Sequence, residues 1–367
     1  MDKLKIQRLL DKADIKINGS HPWDIQVHND LLYRRILSKG TLGFGEAYMD
    51  GWWDAEQLDE FFARALNARL DKELWSLPML LNYIKASVLN TQSKACSKKV
   101  AEEHYDLGNY FYKHMLDKNM QYTCGYWNGA KTLDEAQEKK LDLVCKKLQL
   151  KAGEKVLELG CGWGGFAHFA AKNYGVEVTA YNISNEQVKY AREWNKGLPV
   201  KIIHADYREA QGIYDKVASI GLCEHVGYKN HRTFMKVVHR CLKDDGLFLL
   251  HTIGTNRSVK MTDPWIQKYI FPNSMLPSIA QLSKAAEGLF VIEDWHNFGP
   301  DYDKTLMAWD ENFRKNWPKF KDKYGERFYR MWHFYLMSSA GQFRSRKAQL
   351  WQAVLSKGKI PNYTSLR

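Results

Sequence analysis

VLELGCGWGGFAHFAA, residues 156–171, runs from a short apolar segment through four glycines in six positions and into a helical pattern. The apolar part, KVLEL (155–159), has the length and composition of a buried strand. Glycines at 160, 162, 164 and 165 let the backbone turn tightly and come within contact distance of a ligand. GFAHFAAKNYG (165–175) then has helix length and ends on a glycine. Strand, glycine turn and helix in this order make the first half of a βαβ unit.

The same alternation continues outward. VEVTAY (176–181), VKIIHA (200–205), KVASIGL (216–222) and GLFLLHTI (246–253) read as strands, with stretches such as NEQVKYAREWNKG (185–197) as the helices between them. Two further strands are expected at LFVIEDWHNF (289–298) and KAQLWQAVLS (347–356). The pattern predicts an α/β fold, a doubly wound and mostly parallel sheet of seven strands. A long, helical, aromatic segment separates the last two strands. Upstream, LDEFFARAL (58–66) and LWSLPMLLNYIKASVL (74–89) predict helices, with a turn-rich aromatic stretch, GTLGFGEAYMDGWWD (40–54), before them. NTQSKACSKK (90–99) reads as a linker. The expected division is 1–89 as a mainly helical N-terminal domain, 90–99 as linker and 100–367 as the catalytic domain.

Composition narrows the class. With 45% apolar and 26% charged residues, the chain has the profile of a folded globular protein. No apolar run approaches the roughly 20 residues that span a bilayer. MDKLKIQRLLDKADIKI (1–17) mixes charges through its apolar positions and reads as an amphipathic helix, not a secretion signal. None of the six cysteines forms a C-x-x-C pair, so no metal site is expected and a reducing, cytoplasmic compartment fits best. Lys plus Arg exceed Asp plus Glu by 54 − 42 = 12. Residues 301–367 hold 14 basic and 6 acidic residues, an excess of 8, which suits an anionic partner.

The glycine turn also satisfies G-x-G-x-x-G, the dinucleotide fingerprint. Three features favour S-adenosylmethionine instead. Glu158 stands two residues before the first glycine, where a carboxylate suits a cationic amino acid end and repels a pyrophosphate. The second strand ends at Tyr181-Asn182, without the acid that a dinucleotide ribose calls for. The third ends at His204-Ala205-Asp206-Tyr207, where Asp206 could accept from an adenine amino group and Tyr207 could stack on the ring. Each also has a plain structural role open to it: strand-edge charge, helix cap, core aromatic.

A second set lies at the same rim. CEHVG (223–227) follows the fourth strand and HTIG (251–254) closes the fifth. A carboxylate beside a histidine on neighbouring strand ends, Glu224 and His251, can handle a proton. EHYDLGNYFYKHMLDKNMQYTCGYWNG (103–129) precedes the first strand and could fold over a cofactor cleft.

Together these segments resemble the cyclopropane fatty acid synthases over nearly the whole length. The resemblance is carried by GEAYMDGWW (45–53), EHYDLGN (103–109), MQYTCGYW (120–127), VLELGCGWGG (156–165), CEHVG (223–227) and HTIG (251–254). Later it continues through DPWIQKYIFPN (263–273), EDWHNFGPDY (293–302), TLMAW (305–309), AGQFR (340–344) and QLWQ (349–352). It implies the class I methyltransferase fold with a helical substrate-covering insertion. It also implies transfer of a methyl group from S-adenosylmethionine to the cis double bond of an acyl chain in a membrane phospholipid. The resulting carbocation would lose a proton to a bound bicarbonate and close a cyclopropane ring. By resemblance, Glu224, His251, Tyr302 and the backbone at Cys124 and Ile253 would hold the bicarbonate. Tyr122, Thr123, Gly160, Gly162, Asn182, Gln187, Asp206 and Tyr207 would bind the methyl donor, with Cys161 and Ser184 beside them.

Glu224 beside bicarbonate would put two anions in contact, so either one shares a proton or His251 is cationic. Ser339 stands where relatives often carry a cysteine, so no essential thiolate is expected there. Reaching an acyl chain in a membrane calls for a cytoplasmic protein docked peripherally on an anionic surface, for which the basic late segment is a candidate. A homodimer is expected because two docking faces bind a vesicle more firmly than one, and no nucleic-acid partner is expected. Two rival outcomes stay open on sequence: a methyl-branched product from the same alkene, and methylation of a small acceptor.

Overall fold

The computed structural model describes residues 2–70, 73, 108–360 and 362–367. The expected helix at 74–89, the expected linker at 90–99 and most of EHYDLGN lie outside these residues. The described chain falls into two compact units that are discontinuous in sequence. One takes the described part of residues 1–90 with 260–272 and 302–348; the other takes the rest. The late helical segment therefore groups with the N-terminal residues and not with the sheet, although in the chain it lies between the last two sheet strands.

The second unit is built on seven strands: β1 Lys155–Leu159, β2 Glu177–Asn182, β3 Val200–His204, β4 Tyr214–Ile220, β5 Leu242–Thr255, β6 Val291–Asn297 and β7 Ala348–Ser356. Their order across the sheet is β3-β2-β1-β4-β5-β7-β6. β1 to β5 pair in parallel, and β6 runs antiparallel to β7. The predicted doubly wound, mostly parallel α/β sheet is what the chain forms. β1 explains why. Val156, Leu157 and Leu159 are fully buried, as expected for a central parallel strand covered on both faces. Leu157, Leu159 and Val217 face a core filled from Phe234, Val238, Leu282 and Ala286. Val156, Ala218 and Leu249 face a second core filled from Leu141, Val144, Ala167, Ala170 and Val188. Chain order reverses between β1 and β4, and ligands of such sheets bind beyond the strand ends at that switch point.

β4 stops at Ile220 because Gly221 turns away with φ 72°. β5 continues past it to Thr255, longer than the eight residues expected. That overshoot leaves the end of β5 without a strand partner on the β4 side and opens it to side chains.

The first unit is helical around an aromatic core. Helix Leu58–Asn67 packs against helix Lys321–Arg344, and Phe44, Trp53, Phe61, Phe62 and Phe334 interlock at ring separations of 4.2–6.5 Å. GTLGFGEAYMDGWWD is not the turn-rich stretch expected. Most of it belongs to helix Leu31–Met49, which kinks once where Gly40 leaves helical geometry at φ 58°. Gly45 serves close packing: a Cβ there would come within 2.5 Å of the Trp265 ring. The aromatic late segment is mostly core, with Trp309, Phe313, Trp332 and Phe334 buried. No helix of the described residues is long and apolar enough to cross a membrane.

Candidate functional site

The glycine turn leaves β1 at Gly160, with φ 82°, and the amides of Gly160 and Cys161 both donate to Tyr181 O at the end of β2. Gly162 (φ 53°) and Gly164 (φ 83°) also sit in the left-handed region. A Cβ at Gly162 would meet nothing within 4 Å, so this turn presents bare backbone to open space. Asn182 holds it from behind: its amide nitrogen donates to Gly162 O and to Gln187 Oε1, both at 2.9 Å. Ser184 caps helix Asn185–Trp194 by accepting from Gln187 N–H. Asn182, Ser184 and Gln187 thus form one buried polar ladder that fixes the turn.

The described part of the segment expected to fold over the cleft, residues 108–129, packs against the turn. Trp163 donates to Asn109 Oδ1 at 2.7 Å and lies against Tyr112, which meets Tyr122 edge-on at 5.3 Å. Asn119 O leaves no room for a Cβ at Gly165, and the Thr123 methyl leaves little at Gly221. Tyr122 and Thr123 are therefore brought to the ends of β1 and β4.

No sequence signal marks the group beneath them. Lys140, on helix Leu133–Lys147, is completely buried. Its ammonium donates to Gln121 Oε1 at 2.5 Å and to Thr123 Oγ1 at 2.9 Å. Burial pulls its pKa down to about 8 against the attraction of Asp117, Cys124 and Glu158. Glu158 is equally buried. Desolvation raises its carboxyl to about 8 despite Lys140 and the Ala167 N–H. Its Oε2 has no hydrogen-bond partner among the described residues. A carboxyl so placed gains most from an incoming cation, which would supply the missing partner and return it to the ionised form. In charged helices of this kind lysines usually point to water; only the three-dimensional position separates Lys140 from exposed Lys139.

Asp206 and Tyr207 take the plain roles open to them. Asp206 caps a single turn by accepting from Arg208 N–H at 2.9 Å. Tyr207 is buried edge-on to Phe234, and Arg208 lies over its ring. Cys161 is buried, and burial raises its thiol well above the usual range. The Cys124 thiol donates to Gly125 O at 3.1 Å.

At the overshooting end of β5, Glu224 takes the place of the missing strand. Its Oε1 accepts from Ile253 N–H at 2.7 Å, while its own carbonyl accepts from Met275 N–H. Burial raises the Glu224 carboxyl to about 7, against the Ile253 N–H and the neighbouring Thr252 hydroxyl. His251, two residues before Ile253, is 1% exposed. Burial and the two ammonium groups of Lys140 and Lys147 push its pKa well down, so the ring is neutral. Of the two protonation schemes expected for this pair, the cationic histidine is the one the surroundings oppose. Glu224 Oε2 and His251 Nε2 are both buried without a hydrogen-bond partner among the described residues. Gly254 completes the motif by close approach: its missing Cβ is where the Trp351 ring packs.

The remaining predicted residue, Tyr302, belongs to the first unit. There it is buried in helix Pro300–Asn316, stacked on Phe343 at 4.5 Å and edge-on to Trp309. Among the described residues no cluster of three or more potential metal ligands occurs, and the five described cysteines are all free.

Comparison with known proteins bears on these features directly. A family model described as mycolic acid cyclopropane synthetase matches residues 92–353. A cyclopropane-fatty-acyl-phospholipid synthase of Escherichia coli (strain K12) is 51% identical over 351 residues, covering 95% of this chain and 92% of the relative. Among solved structures, the cyclopropane synthase MmaA2 from Mycobacterium tuberculosis superposes with a TM-score of 0.67 at 27% identity, over 71% of this chain and 98% of that one. The mycolic acid cyclopropane synthase CmaA1, complexed with SAH and CTAB, gives 0.66 at 29% identity over the same shares. The seven-stranded sheet, the glycine turn after β1 and the extent of these matches agree: the chain belongs to the cyclopropane synthase family of S-adenosylmethionine-dependent methyltransferases.

Proposed function

We propose that this chain is a cyclopropane-fatty-acyl-phospholipid synthase, acting on the cis double bond of an unsaturated acyl chain in a membrane phospholipid and using bicarbonate as its base. The observation that carries the reading is the pair of buried, unpartnered polar atoms at the end of β5, Glu224 Oε2 and His251 Nε2. An amine acceptor attacks through its lone pair and can shed its proton after transfer, so N-methylation does not by itself require a base held at the reacting carbon. A carbocation formed from an alkene must lose its proton inside a dry site, so a base must be held there.

The residues fit a small, protonatable oxyanion. Glu224, with a carboxyl near 7, can share a proton with it, and neutral His251 can donate to it. When bound, bicarbonate supplies the basic oxygen that takes a proton from the transferred carbon. The protein's part is then positioning. Ile253 N–H fixes the Glu224 carboxyl. Lys140 anchors Gln121 and Thr123 under the donor. Glu158 faces its amino acid end, and the bare backbone at Gly162 lets it approach. An alkene is a weak nucleophile, so in-line placement against the sulfonium carries much of the rate. Asn182, Gln187, Ser184, Cys161, Asp206 and Tyr207 shape the donor site from behind. Tyr302 keeps the anion-holding role implied by the resemblance, to be tested through Tyr302→Phe. Peripheral docking on an anionic membrane, in dimeric form, belongs to the same proposal; its support is the excess basic charge of residues 301–367.

The test is a product analysis. The protein is incubated with S-adenosylmethionine and vesicles of a cis-monounsaturated phospholipid, with and without bicarbonate, and the released acyl chains are weighed by mass spectrometry. The expected product is one CH₂ heavier, resists mild hydrogenation and depends on bicarbonate. A heavier chain that still takes up hydrogen or carries a methyl branch overturns ring closure. No mass change, with the donor still bound, overturns the lipid assignment.

A further inference from the structure

His251 has two ring nitrogens, and the chemistry it can offer depends on which one carries the proton. Nδ1 faces β7, the strand beside β5 in the sheet. There the amide nitrogen of Gln352 lies 3.3 Å from Nδ1, and Gln352 is completely buried. Gln352 turns its NH₂ toward the ring, and an NH₂ can only donate, so with the amide in this orientation Nδ1 accepts. In a neutral ring the proton then sits on Nε2, the nitrogen with no partner among the described residues. The doubly protonated ring is opposed by burial and by Lys140 and Lys147. Phe298 flanks the ring at 6.0 Å and offers it no competing acceptor.

We propose that Gln352 is a positioning residue that selects the Nε2–H tautomer of His251, so that His251 serves as a hydrogen-bond donor to a bound oxyanion and not as the base. The inference rests on the proposed function for the identity of the oxyanion, but the tautomer belongs to the protein itself. The tautomer choice has a chemical consequence. A ring protonated on Nδ1 would point a lone pair at an anion and repel it. A ring protonated on Nε2 binds the anion and turns its own lone pair away from it, so the ring does not compete for the proton. Trp351, pressed on Gly254, and the antiparallel pairing of Gln352 with His296 hold β7 in the register that delivers the amide.

The test reads the tautomer directly. Full-length protein labelled with ¹⁵N-histidine is examined by NMR, and the His251 signals are identified by their loss in His251→Asn. The expected spectrum shows a protonated Nε2 and a bare Nδ1. Gln352→Glu replaces the donor by an acceptor and should move the proton to Nδ1. Steady-state kinetics should then show the KM for bicarbonate rising by at least about tenfold, the usual scale for a lost orienting partner of a ligating histidine, with the KM for S-adenosylmethionine changed little. Gln352→Met, similar in volume and unable to hydrogen bond, should raise the bicarbonate KM less. A wild-type ring protonated on Nδ1 overturns the proposal, whether or not either variant folds. So does a folded Gln352→Glu protein with an unchanged bicarbonate KM. Turnover by the wild type that ignores bicarbonate would overturn the proposed base while leaving the tautomer result standing.

Discussion

The Lys140 ammonium sits 2.9 Å from the Thr123 hydroxyl, a completely buried cation bound to the segment that arches over the glycine turn. It also faces Asp117 and Glu158, two buried carboxyls whose pKa values burial raises to about 6 and about 8. Lys140 is thus a charge centre and an anchor at once. Lys140→Met keeps most of the volume and removes both functions. Gln121 Oε1 and Thr123 Oγ1 lose their donor, and the two carboxyls lose their counter-charge. The expected loss of stability is about 3 kcal/mol, at the low end for a broken buried pair because the carboxyls can take up protons. Urea unfolding measures it. In the fraction that remains folded, the KM for S-adenosylmethionine should rise more than kcat falls, since Thr123 and Tyr122 lose their seat. An unchanged donor KM would confine Lys140 to a structural role.

Glu224 gives a stability effect whose sign is opposite to that of most carboxylates. Its folded carboxyl titrates near 7, above the ordinary 4.5, because burial disfavours the charge. The folded state therefore holds a proton that the unfolded state has released between those values. Stability is greatest at acid pH and is lost as pH rises from about 4.5 to about 7. Glu224→Gln is neutral throughout, and its amide oxygen can still accept from Ile253 N–H. At pH 8 the variant should be more stable than the parent by about 3 kcal/mol, since each pH unit separating the folded and unfolded titrations is worth about 1.36 kcal/mol, and the gain should vanish toward pH 4. Thermal melts across that range read the difference. Activity should move the other way. Cyclopropane formation should fall by about a hundredfold or more, the scale of a lost proton-handling group. In the parent, affinity for bicarbonate, corrected for that ion's own titration, should weaken as pH climbs through about 7; in Glu224→Gln that dependence should disappear.

In the first unit, Arg344 gathers three acids. Its guanidinium makes a two-pronged pair with Asp303 at 3.0 and 3.1 Å, and also reaches Asp59 at 2.6 Å and Glu60 at 3.4 Å. It ties helix Leu58–Asn67 to helices Pro300–Asn316 and Lys321–Arg344. These acids raise its already high pKa, so it is charged at any working pH. Lysine offers one point of charge in place of a planar fork. Arg344→Lys should cost about 1–2 kcal/mol, the scale of losing charge-assisted hydrogen bonds. Denaturant titration read from the first unit's tryptophans, Trp53 and Trp332 among them, provides the measurement. An unchanged midpoint would show that the cluster is a solvated surface pair of little value.

The parallel sheet and the glycine turn were legible because their signals are local. A five-residue apolar run and a glycine cluster carry their own periodicity and backbone demands. Glu224 and His251 were legible as candidates because each falls within a few residues of a strand end. Lys140, Gln352 and Gly45 were not. Each looks ordinary in sequence: a lysine in a charged helix, a glutamine in a strand, a glycine in a turn-rich run. Each acquires meaning from a partner far away in the chain, 17 residues off for Lys140 with Thr123 and 101 for Gln352 with His251. The late helices were legible as helices but not as members of the first unit, because helical periodicity says which face is apolar and not what covers it. Asp206 and Tyr207 show the converse: residues at an expected ligand position that the fold also employs as a cap and a core ring.

Two glycines of the site's motifs should respond oppositely to the same substitution. Gly162 has φ 53° and open space where a Cβ would stand. Gly162→Ala should therefore cost only the backbone strain of a left-handed alanine, about 1 kcal/mol. Its methyl group would occupy the space in front of the turn, so affinity for S-adenosylmethionine should fall by about tenfold or more, equivalent to about 1.4 kcal/mol per decade. Gly254 lies inside β5 with the Trp351 ring where its Cβ would be. Gly254→Ala must displace that ring or bend the strand close to the point where Gln352 meets His251. Overpacking of this kind costs about 3 kcal/mol. Calorimetric melting and isothermal titration with the methyl donor separate the two cases. The expected pattern is a stable Gly162→Ala protein that binds poorly and a destabilised Gly254→Ala protein that, at low temperature, binds well. The reverse pattern would place the donor away from the glycine turn.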